Sequence, residues 1–291
     1  MGDPKSKIGL EIVPLSDARR KQAEKELRET PERVKEATEA LRALLKGDPK
    51  LKFRDDDEFL IRFLRPTKFY PESAFALMQR AAEFKEKNAS LLDNLKPTDE
   101  KVTICDHDVV NVLAGRDQHG RRILFVNAGE KWDPKKVTTD NIFRVFYMVH
   151  IGAMMEPETQ VTGVVVIMDF LGLSMKQVAG FSPAFSMRLL TFIQDAMPLR
   201  LKEVHIVNQP FLFNMVFQMF KPFIREKLKG RLFFHGKKME SLHKHLDPAY
   251  LPQDYGGQLP KMNYTSREWY PVIEGITDKI DEWDKMGVVK A

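Results

Sequence analysis

Four groups of residues in this chain are of types that could support catalysis or bind a metal ion. Cys105 could act as a nucleophile, and Asp106-His107-Asp108 and the pair His243 and His245 contain metal-ligating side chains. Asp169 ends an apolar run, a position at which α/β enzymes place catalytic carboxylates. No partner acid, base or nucleophile accompanies these residues, and side chains adjacent in sequence seldom converge on one ion. We therefore predict no catalytic residue, no metal and no cofactor, and a protein that is not an enzyme.

Motifs that carry common enzyme chemistry are also missing. The sequence contains no Gly-x-Gly-x-x-Gly, no Walker phosphate loop, no His-Glu-x-x-His and no Gly-x-Ser-x-Gly. We expect Cys105 to be a small buried thiol and Asp169 to accept backbone N–H groups of the turn that follows it. A single cysteine excludes an internal disulfide, and no secretory signal opens the sequence, so we expect a reducing, cytoplasmic setting.

Residues 211–220 form the most unusual segment. Eight of these ten residues are apolar, four of them Phe and two Met. A helix that is apolar nearly all round must be covered on more than one side. Two interpretations stay open: a central core helix, or a lid with one face on a lipid and the other able to meet a bilayer. The residues assigned to the lid are Phe211, Phe213, Met215, Phe217, Met219 and Phe220.

A basic segment follows directly. Residues 221–238 contain seven Lys or Arg residues against one Glu, although the net charge of the whole chain is only +5. Such a run is usually a solvated face, but beside so apolar a helix it would suit an anionic membrane or a phosphorylated headgroup. Aromatic residues are not interleaved with these charges as stacking on bases would require, so we predict no nucleic-acid partner.

The elements that must position these residues follow from periodicity and turn signals. Helices are predicted up to about residue 95, and strands alternating with helices after it, which is typical of an α/β sheet layered by helices. We expect a flexible N-terminus at 1–15, a helical domain at 16–95, a second domain at 96–260 and a C-terminal helical extension at 261–291. Predicted helices are 16–46 with a break at Thr30-Pro31, 55–64, 71–88, 138–155, 183–196, 211–220 and 268–285; predicted strands are 109–116, 121–126, 161–169, 204–208 and 232–234.

Membrane attachment has two sequence signals to consider. No run of about 20 apolar residues is present, so no spanning helix is predicted. Gly2 and Ser6 fit the loose myristoylation pattern, which the adjacent Asp3 weakens.

Several segments, in order along residues 20–260, resemble the CRAL-TRIO family. They are DEFLIRFLRPTKF at 57–69, DQHGRRIL at 117–124, DFLGLS at 169–174, PLRLKEVHIVN at 198–208 with Pro210, Phe213, Phe217 and KPF at 221–223, and LPQDYGG at 251–257. The chain is most similar to the branch that contains alpha-tocopherol transfer protein and cellular retinaldehyde-binding protein. The resemblance implies a helical N-terminal domain, then a lipid-binding domain with a central mixed sheet, a pocket and a helical lid.

The resemblance also implies a phosphoinositide-binding patch. Its residues carry over onto Arg200, Lys202, Lys227 and Arg231. One further basic position of the family falls on Thr67, next to Lys68, and this departure bears on the strength or geometry of headgroup binding.

The implied function is that of a carrier for one hydrophobic lipid, tocopherol-, retinoid- or otherwise terpenoid-like. The implied pocket residues are Phe143, Phe146, Tyr147, His150, Val164, Met168, Leu189, Phe192, Ile193, Met197, Val216 and Phe217. His150 has two interpretations, a hydrogen-bond partner for a ligand hydroxyl or carbonyl and a satisfied core residue. The alternatives are a phosphatidylinositol or phosphatidylcholine carrier and a lipid-regulated adaptor. We expect a cytoplasmic monomer that visits phosphoinositide-containing membranes transiently.

Overall fold

A five-stranded mixed sheet organises the molecule. The computed structural model describes residues 8–289, so Gly2 and Ser6 lie outside the described residues. The strands are β1 Leu51–Lys52, β2 Val110–Arg116, β3 Arg122–Asn127, β4 Val164–Asp169, β5 Leu201–Val207, β6 Leu232–Gly236 and β7 Gly287–Val288. The large sheet has the order β2-β3-β4-β5-β6, in which β2 and β3 are antiparallel and the other neighbours are parallel. The predicted α/β class, with helices layered on a mixed sheet, is confirmed.

Helices occupy both ends of the chain and both faces of the sheet. They are α1 Asp17–Leu27, α2 Pro31–Lys46, α3 Asp57–Leu64, α4 Pro71–Lys87, α5 Ala89–Leu92, α6 Lys101–Asp106, α7 Thr139–Met155, α8 Pro157–Thr162, α9 Met175–Val178, α10 Pro183–Thr191, α11 Phe213–Phe220, α12 Glu226–Lys229, α13 Met239–Leu242, α14 Tyr270–Glu274 and α15 Thr277–Asp284. Within the described part of the chain, no helix combines the length and the apolar character needed to cross a bilayer.

Local chemistry accounts for most helix starts. Thr30 caps α2 by accepting the backbone N–H of Arg33, and Pro31 occupies the first turn, where its missing N–H costs nothing. Thr138 caps α7 through a capping box with Asn141. The predicted two helices within residues 16–46 and the long helix ending at Met155 are therefore present with small changes of boundary.

Two predicted elements differ from the structure at Pro or Gly residues, where one starts later than predicted and the other is split in two. The predicted strand 161–169 starts only at Val164, because Pro157 begins the short helix α8 and Gly163 ends it with a φ of +87°. The predicted helix 268–285 is split into α14 and α15 around Gly275. Helix α10 ends at Thr191, and a π-helical turn, Phe192–Ala196, continues it.

The C-terminal segment packs against the N-terminal helices. Trp283 of α15 stacks on Phe63 of α3, with ring centroids 6.2 Å apart, and its indole N–H donates to the Tyr147 hydroxyl at 2.9 Å. Strand β7 pairs with β1. The proposed boundaries at residues 95 and 260 therefore separate segments that share one apolar core.

Candidate ligand cavity

An apolar cavity of about 200 Å³ lies between the sheet and helices α7 and α10. One wall is a face of the sheet to which β3 and β4 contribute every second residue, because side chains alternate along a strand. A register shift in β5 brings Leu201 and Val204, three residues apart, to the same face. Neighbouring strands are in register there, with Val166 of β4 beside Leu124 of β3 and Val204 of β5. The sheet side chains that line this wall are Val112, Leu124, Val126, Val164, Val166, Met168, Leu201 and Val204.

The opposite wall is helical. Helix α7 contributes Phe146, Val149, His150 and Ala153, which share one face because residues three or four apart are neighbours on a helix. After α10, the π-helical turn changes the direction in which successive side chains point. Leu189 of α10, Phe192 and Ile193 of this turn, and Met197 and Leu199 after it complete the helical wall.

Two chain segments that sequence reasoning did not associate with the pocket close the remaining side. Ile8, Gly9 and Leu10 line it from the N-terminus. Trp269, Val272 and Ile273 line it from α14 and the residue that precedes α14. The spacing of the latter three residues fits one helical face, which is a signal the sequence contains. Local spacing does not predict which part of the protein this face packs against.

Two side chains of the wall carry buried nitrogens without a hydrogen-bond partner among residues 8–289. They are His150, at both ring nitrogens, and Trp269, at Nε1. Burial lowers the pKa of His150 to about 3. The backbone carbonyl of Tyr147, one turn earlier, raises the pKa only slightly, because it does not form a hydrogen bond with the imidazole ring. His150 is therefore neutral at physiological pH, with one N–H to donate and one nitrogen to accept.

One ion pair also borders the cavity. The carboxylate of Glu156 accepts from Arg122 at 2.5 and 3.0 Å and from Thr159 at 2.6 Å, and Arg116 lies 3.2 Å away. Burial raises the pKa of Glu156, but the hydrogen bonds and charge of Arg122 more than offset it, so the net pKa is lowered. Both charged groups have protein partners, and apart from them, His150 and Trp269 the wall is apolar.

Comparison with known proteins places this arrangement in a family. Residues 106–257, more than half of the chain, match the CRAL/TRIO domain. The chain belongs to the CRAL/TRIO family. It is 32% identical to Clavesin-1 of Pongo abelii over 93% of this chain and 76% of that protein. It is 33% identical to Clavesin-2 of Homo sapiens, over 84% and 76% of the two chains. It is 32% identical to the alpha-tocopherol transfer protein-like protein of Pongo abelii, over 88% and 74%.

A solved structure shows the same CRAL/TRIO fold. The crystal structure of Sfh5 superposes with a TM-score of 0.51 at 13% identity, covering 91% of this chain and all of the other. At that identity the likeness concerns the fold alone. The family resemblance expected from the sequence motifs is confirmed.

Eight of the twelve predicted pocket residues of this CRAL/TRIO chain line the cavity. They are Phe146, His150, Val164, Met168, Leu189, Phe192, Ile193 and Met197. Phe143 and Tyr147 lie on the adjacent face of α7, where Phe143 packs on Phe84 and Tyr147 bonds Trp283. Val216 and Phe217 lie on α11, on the same face of the sheet as the cavity, and pack in a cluster with Val166 and Met168 without lining the cavity.

The predicted lid segment is a helix from Phe213 and packs next to the cavity. Phe213 and Val216 are buried against Phe170 and Ile206, in a cluster that also includes the cavity residues Phe146, Val166 and Met168. The outer surface of the segment is mixed, because Phe211, 90% exposed, and Met215, 48% exposed, lie beside the exposed Asn214 and Gln218. Residues 211–220 therefore cover the wall of the cavity and do not line it.

Three of the four predicted patch residues lie together at the start of β5 and β6. Arg200 lies 3.0 Å from the Glu26 carboxylate and donates to the Val161 carbonyl, and Lys202 lies 3.9 Å from the same carboxylate. Arg231 donates to the Leu201 carbonyl. Burial first, and then the charge of Arg200, lowers the pKa of both Lys202 and Arg231.

The remaining basic positions lie at the edge of this group. Lys227 is exposed on α12, four residues before Arg231. The Thr67 hydroxyl donates to the Phe63 carbonyl at 2.8 Å, while Lys68 beside it is exposed with a φ of +54°. The side chain of Thr67 therefore bonds to its own helix.

The residues considered for catalysis have other partners. Asp169 accepts the backbone N–H of Leu171 at 2.9 Å, as expected, and the amide of Asn208 at 2.9 Å. Asp106 pairs with Arg267, and His243 contacts the Tyr255 carbonyl at 2.9 Å. Cys105 is half-buried, and burial raises its pKa. Across residues 8–289 no group of three or more His, Cys, Asp or Glu side chains is arranged to hold a metal ion.

Proposed function

We propose that this CRAL/TRIO protein carries one hydrophobic lipid in the cavity and exchanges it at phosphoinositide-containing membranes. The observation that carries the proposal is the cavity between the sheet and α7. Its wall is apolar apart from His150, Trp269 and the Arg122–Glu156 ion pair. Each buried CH₂ group contributes about 0.8 kcal/mol, so such a wall holds a long hydrocarbon tightly. Membership of a lipid-binding family supports the same conclusion.

The ligand class that fits is a largely hydrocarbon lipid with one small polar group, such as a retinoid, a tocopherol or another terpenoid. The unpartnered nitrogens of His150 and Trp269 suit one hydroxyl or carbonyl. A phospholipid headgroup needs several buried polar partners, because burying a charge without them is costly. The name of one relative, alpha-tocopherol transfer protein-like, agrees with this class.

Native mass spectrometry of the purified protein, followed by organic extraction, tests the proposal. One stoichiometric terpenoid, retinoid or sterol-like molecule is the expected result. A bound phospholipid would instead establish a phospholipid carrier. A protein that arrives empty and takes up no lipid from vesicles would contradict carriage.

The polar group of the ligand provides a sharper prediction. Wild-type protein should prefer hexadecanol to hexadecane, and His150→Leu should reduce that preference about fivefold, the effect of one net hydrogen bond. The same change should raise the thermal stability of the empty protein, because it removes an unsatisfied buried polar group. Native mass spectrometry with both probes together measures the ratio.

Val149→Leu is the matched control, since Val149 is an apolar neighbour on the same cavity wall. It should leave the preference for the alcohol unchanged. An undiminished preference in the His150→Leu variant would show that this histidine does not contact the polar end of the ligand.

The proposal assigns membrane contact to two surfaces. The first is the outward face of residues 211–220, where Phe211 and Met215 are exposed. The second is the basic patch, Arg200, Lys202, Lys227 and Arg231. We expect the membrane to bind the protein more tightly when α11 is in an open position. An anionic membrane that binds the patch would therefore shift the equilibrium towards that open conformation.

Substitutions on the two sides of the patch should act in opposite directions. Lys202→Ala combined with Lys227→Ala should slow transfer to phosphoinositide vesicles about thirtyfold, because each basic residue contributes about 1 kcal/mol near an anionic surface. Glu26→Gln removes the carboxylate that neutralises Arg200 and should speed transfer. Arg200 and Arg231 are left in place because they bond backbone carbonyls.

Lys35→Ala with Lys261→Ala is the control, since it makes the same change in net charge at exposed sites elsewhere. Transfer rates should be compared for vesicles with and without phosphoinositide. Equal slowing by both double variants would mean that net charge, and not the patch, attracts the protein.

A further inference from the structure

Residues 8–15, here called the strap, form a segment without helix or strand that precedes α1. Ile8, Gly9 and Leu10 line the cavity between α7 and α14. A Cβ atom at Gly152 of α7 would lie 3.5 Å from a methyl group of Leu10, so the strap packs closely on that helix. The strap is therefore part of the wall and not a tail in solvent.

Three side chains hold the strap by polar contacts. Arg122 donates to the Gly9 carbonyl at 3.0 Å, and the Glu11 N–H donates to Glu156 at 2.8 Å. The Glu11 carboxylate lies 2.6 Å from Arg116 and 3.7 Å from Arg122. All of these contacts are made with Arg116, Arg122 or Glu156. These three residues form one cluster, here called the latch.

Beyond the latch, Ile12 is 54% and Val13 61% exposed, and Leu15 is the one further apolar side chain of the strap that packs on the core. Two apolar side chains of the strap, Ile8 and Leu10, face the cavity. Segments with few buried contacts open at low free energy without unfolding the rest of a protein. Glu11 is about half exposed, so its ion pairs are screened and modest.

The strap also limits the space available to a ligand. With the strap in place the cavity measures about 200 Å³. Pockets that enclose drug-sized ligands typically measure about 300–1,000 Å³. Displacing Ile8 and Leu10 would lengthen the cavity at the end opposite to the wall that α11 covers.

We infer that the strap is a movable end wall of the cavity, which limits the length of the bound lipid and closes a second exit distinct from α11. This inference rests on the proposed function, because it assigns a specificity-determining role within the same cavity. It predicts that a ligand leaves when the contacts between Glu11 and the latch are broken, with no anionic membrane needed.

Glu11→Lys tests the inference by turning attraction to Arg116 and Arg122 into repulsion. We expect fluorescent all-trans-retinol to leave this variant at least about fivefold faster, with vesicles of pure phosphatidylcholine as the acceptor. We also expect competition between hexadecanol and docosanol, read by native mass spectrometry, to shift towards the longer alcohol. Leu10→Ala should shift that competition in the same direction by removing wall volume.

Glu39→Lys makes the same charge change on an exposed face of α2 and serves as the control. A readout without ligand is the quenching of tryptophan fluorescence by acrylamide. Trp269 lines the cavity and is only 2% exposed, so opening of the strap should increase quenching in Glu11→Lys but not in the control.

The two readouts separate the strap from the proposed function. Unchanged quenching together with unchanged release and length preference would overturn the strap as a movable wall. Increased quenching in a protein whose wild-type form retains neither retinol nor the alcohols would support the movable strap and overturn lipid carriage. Faster release with increased quenching supports both.

Discussion

Tryptophan in place of Ala153 is expected to abolish lipid retention and leave the protein folded. Ala153 faces the cavity from α7, so an indole ring at this position would occupy space that a ligand needs. A steric block of this kind should lower ligand occupancy about a hundredfold or more, which corresponds to about 3 kcal/mol. The melting temperature of the empty protein should stay the same or rise, because the ring fills a void. Native mass spectrometry and calorimetry measure the two effects.

Ala40→Trp is the matched variant, since Ala40 is exposed on α2, away from the cavity. It should retain lipid at the wild-type level. If Ala153→Trp also retained lipid at that level, the ligand would have to bind elsewhere, and the cavity could not be the carrier site.

The layered fold could be predicted because local signals agreed with one another. The turn at 117–120 joins two strands, as expected, and Gly120 has the positive φ of +78° that such a turn requires. Where β-branched residues continued past a glycine, as at Val161 to Val164, propensity alone placed the strand start too early. The conformation of Gly163 and the helix-starting Pro157 decided that boundary.

The cavity could be predicted only in part because α7 is apolar on several sides. Its apolar residues meet both the cavity and the N-terminal helices, so periodicity identified the helix but not which face the ligand would contact. Phe143 and Tyr147 belong to the second interface. The contact between residues 8–10 and α7 joins positions about 140 residues apart, and no local pattern predicts a contact of that range.

The latch that orders this part of the wall should also be important for folding. Glu156→Ala is expected to lower the free energy of unfolding by about 2–4 kcal/mol, because it leaves the half-buried Arg116 and Arg122 without the carboxylate they share. Glu156 is 1% exposed and accepts from two guanidinium groups, the Thr159 hydroxyl and the Glu11 N–H. Glu156→Gln keeps the shape and part of the hydrogen bonding, so an intermediate loss is expected.

The loss should depend on pH with a definite sign. The pKa of Glu156 is lowered in the folded protein from an ordinary value of 4.5, so its contribution to stability is complete above that pH and falls as the pH drops through the lowered value. Denaturant titrations at pH 7 and below pH 4 should therefore show a difference between wild type and Glu156→Ala that shrinks in acid. Glu39→Ala, at an exposed site, should change stability by less than about 0.5 kcal/mol at either pH. A loss at pH 7 as small as that of Glu39→Ala would mean that water reaches the two arginines, and then the latch could not hold the strap over a dry cavity.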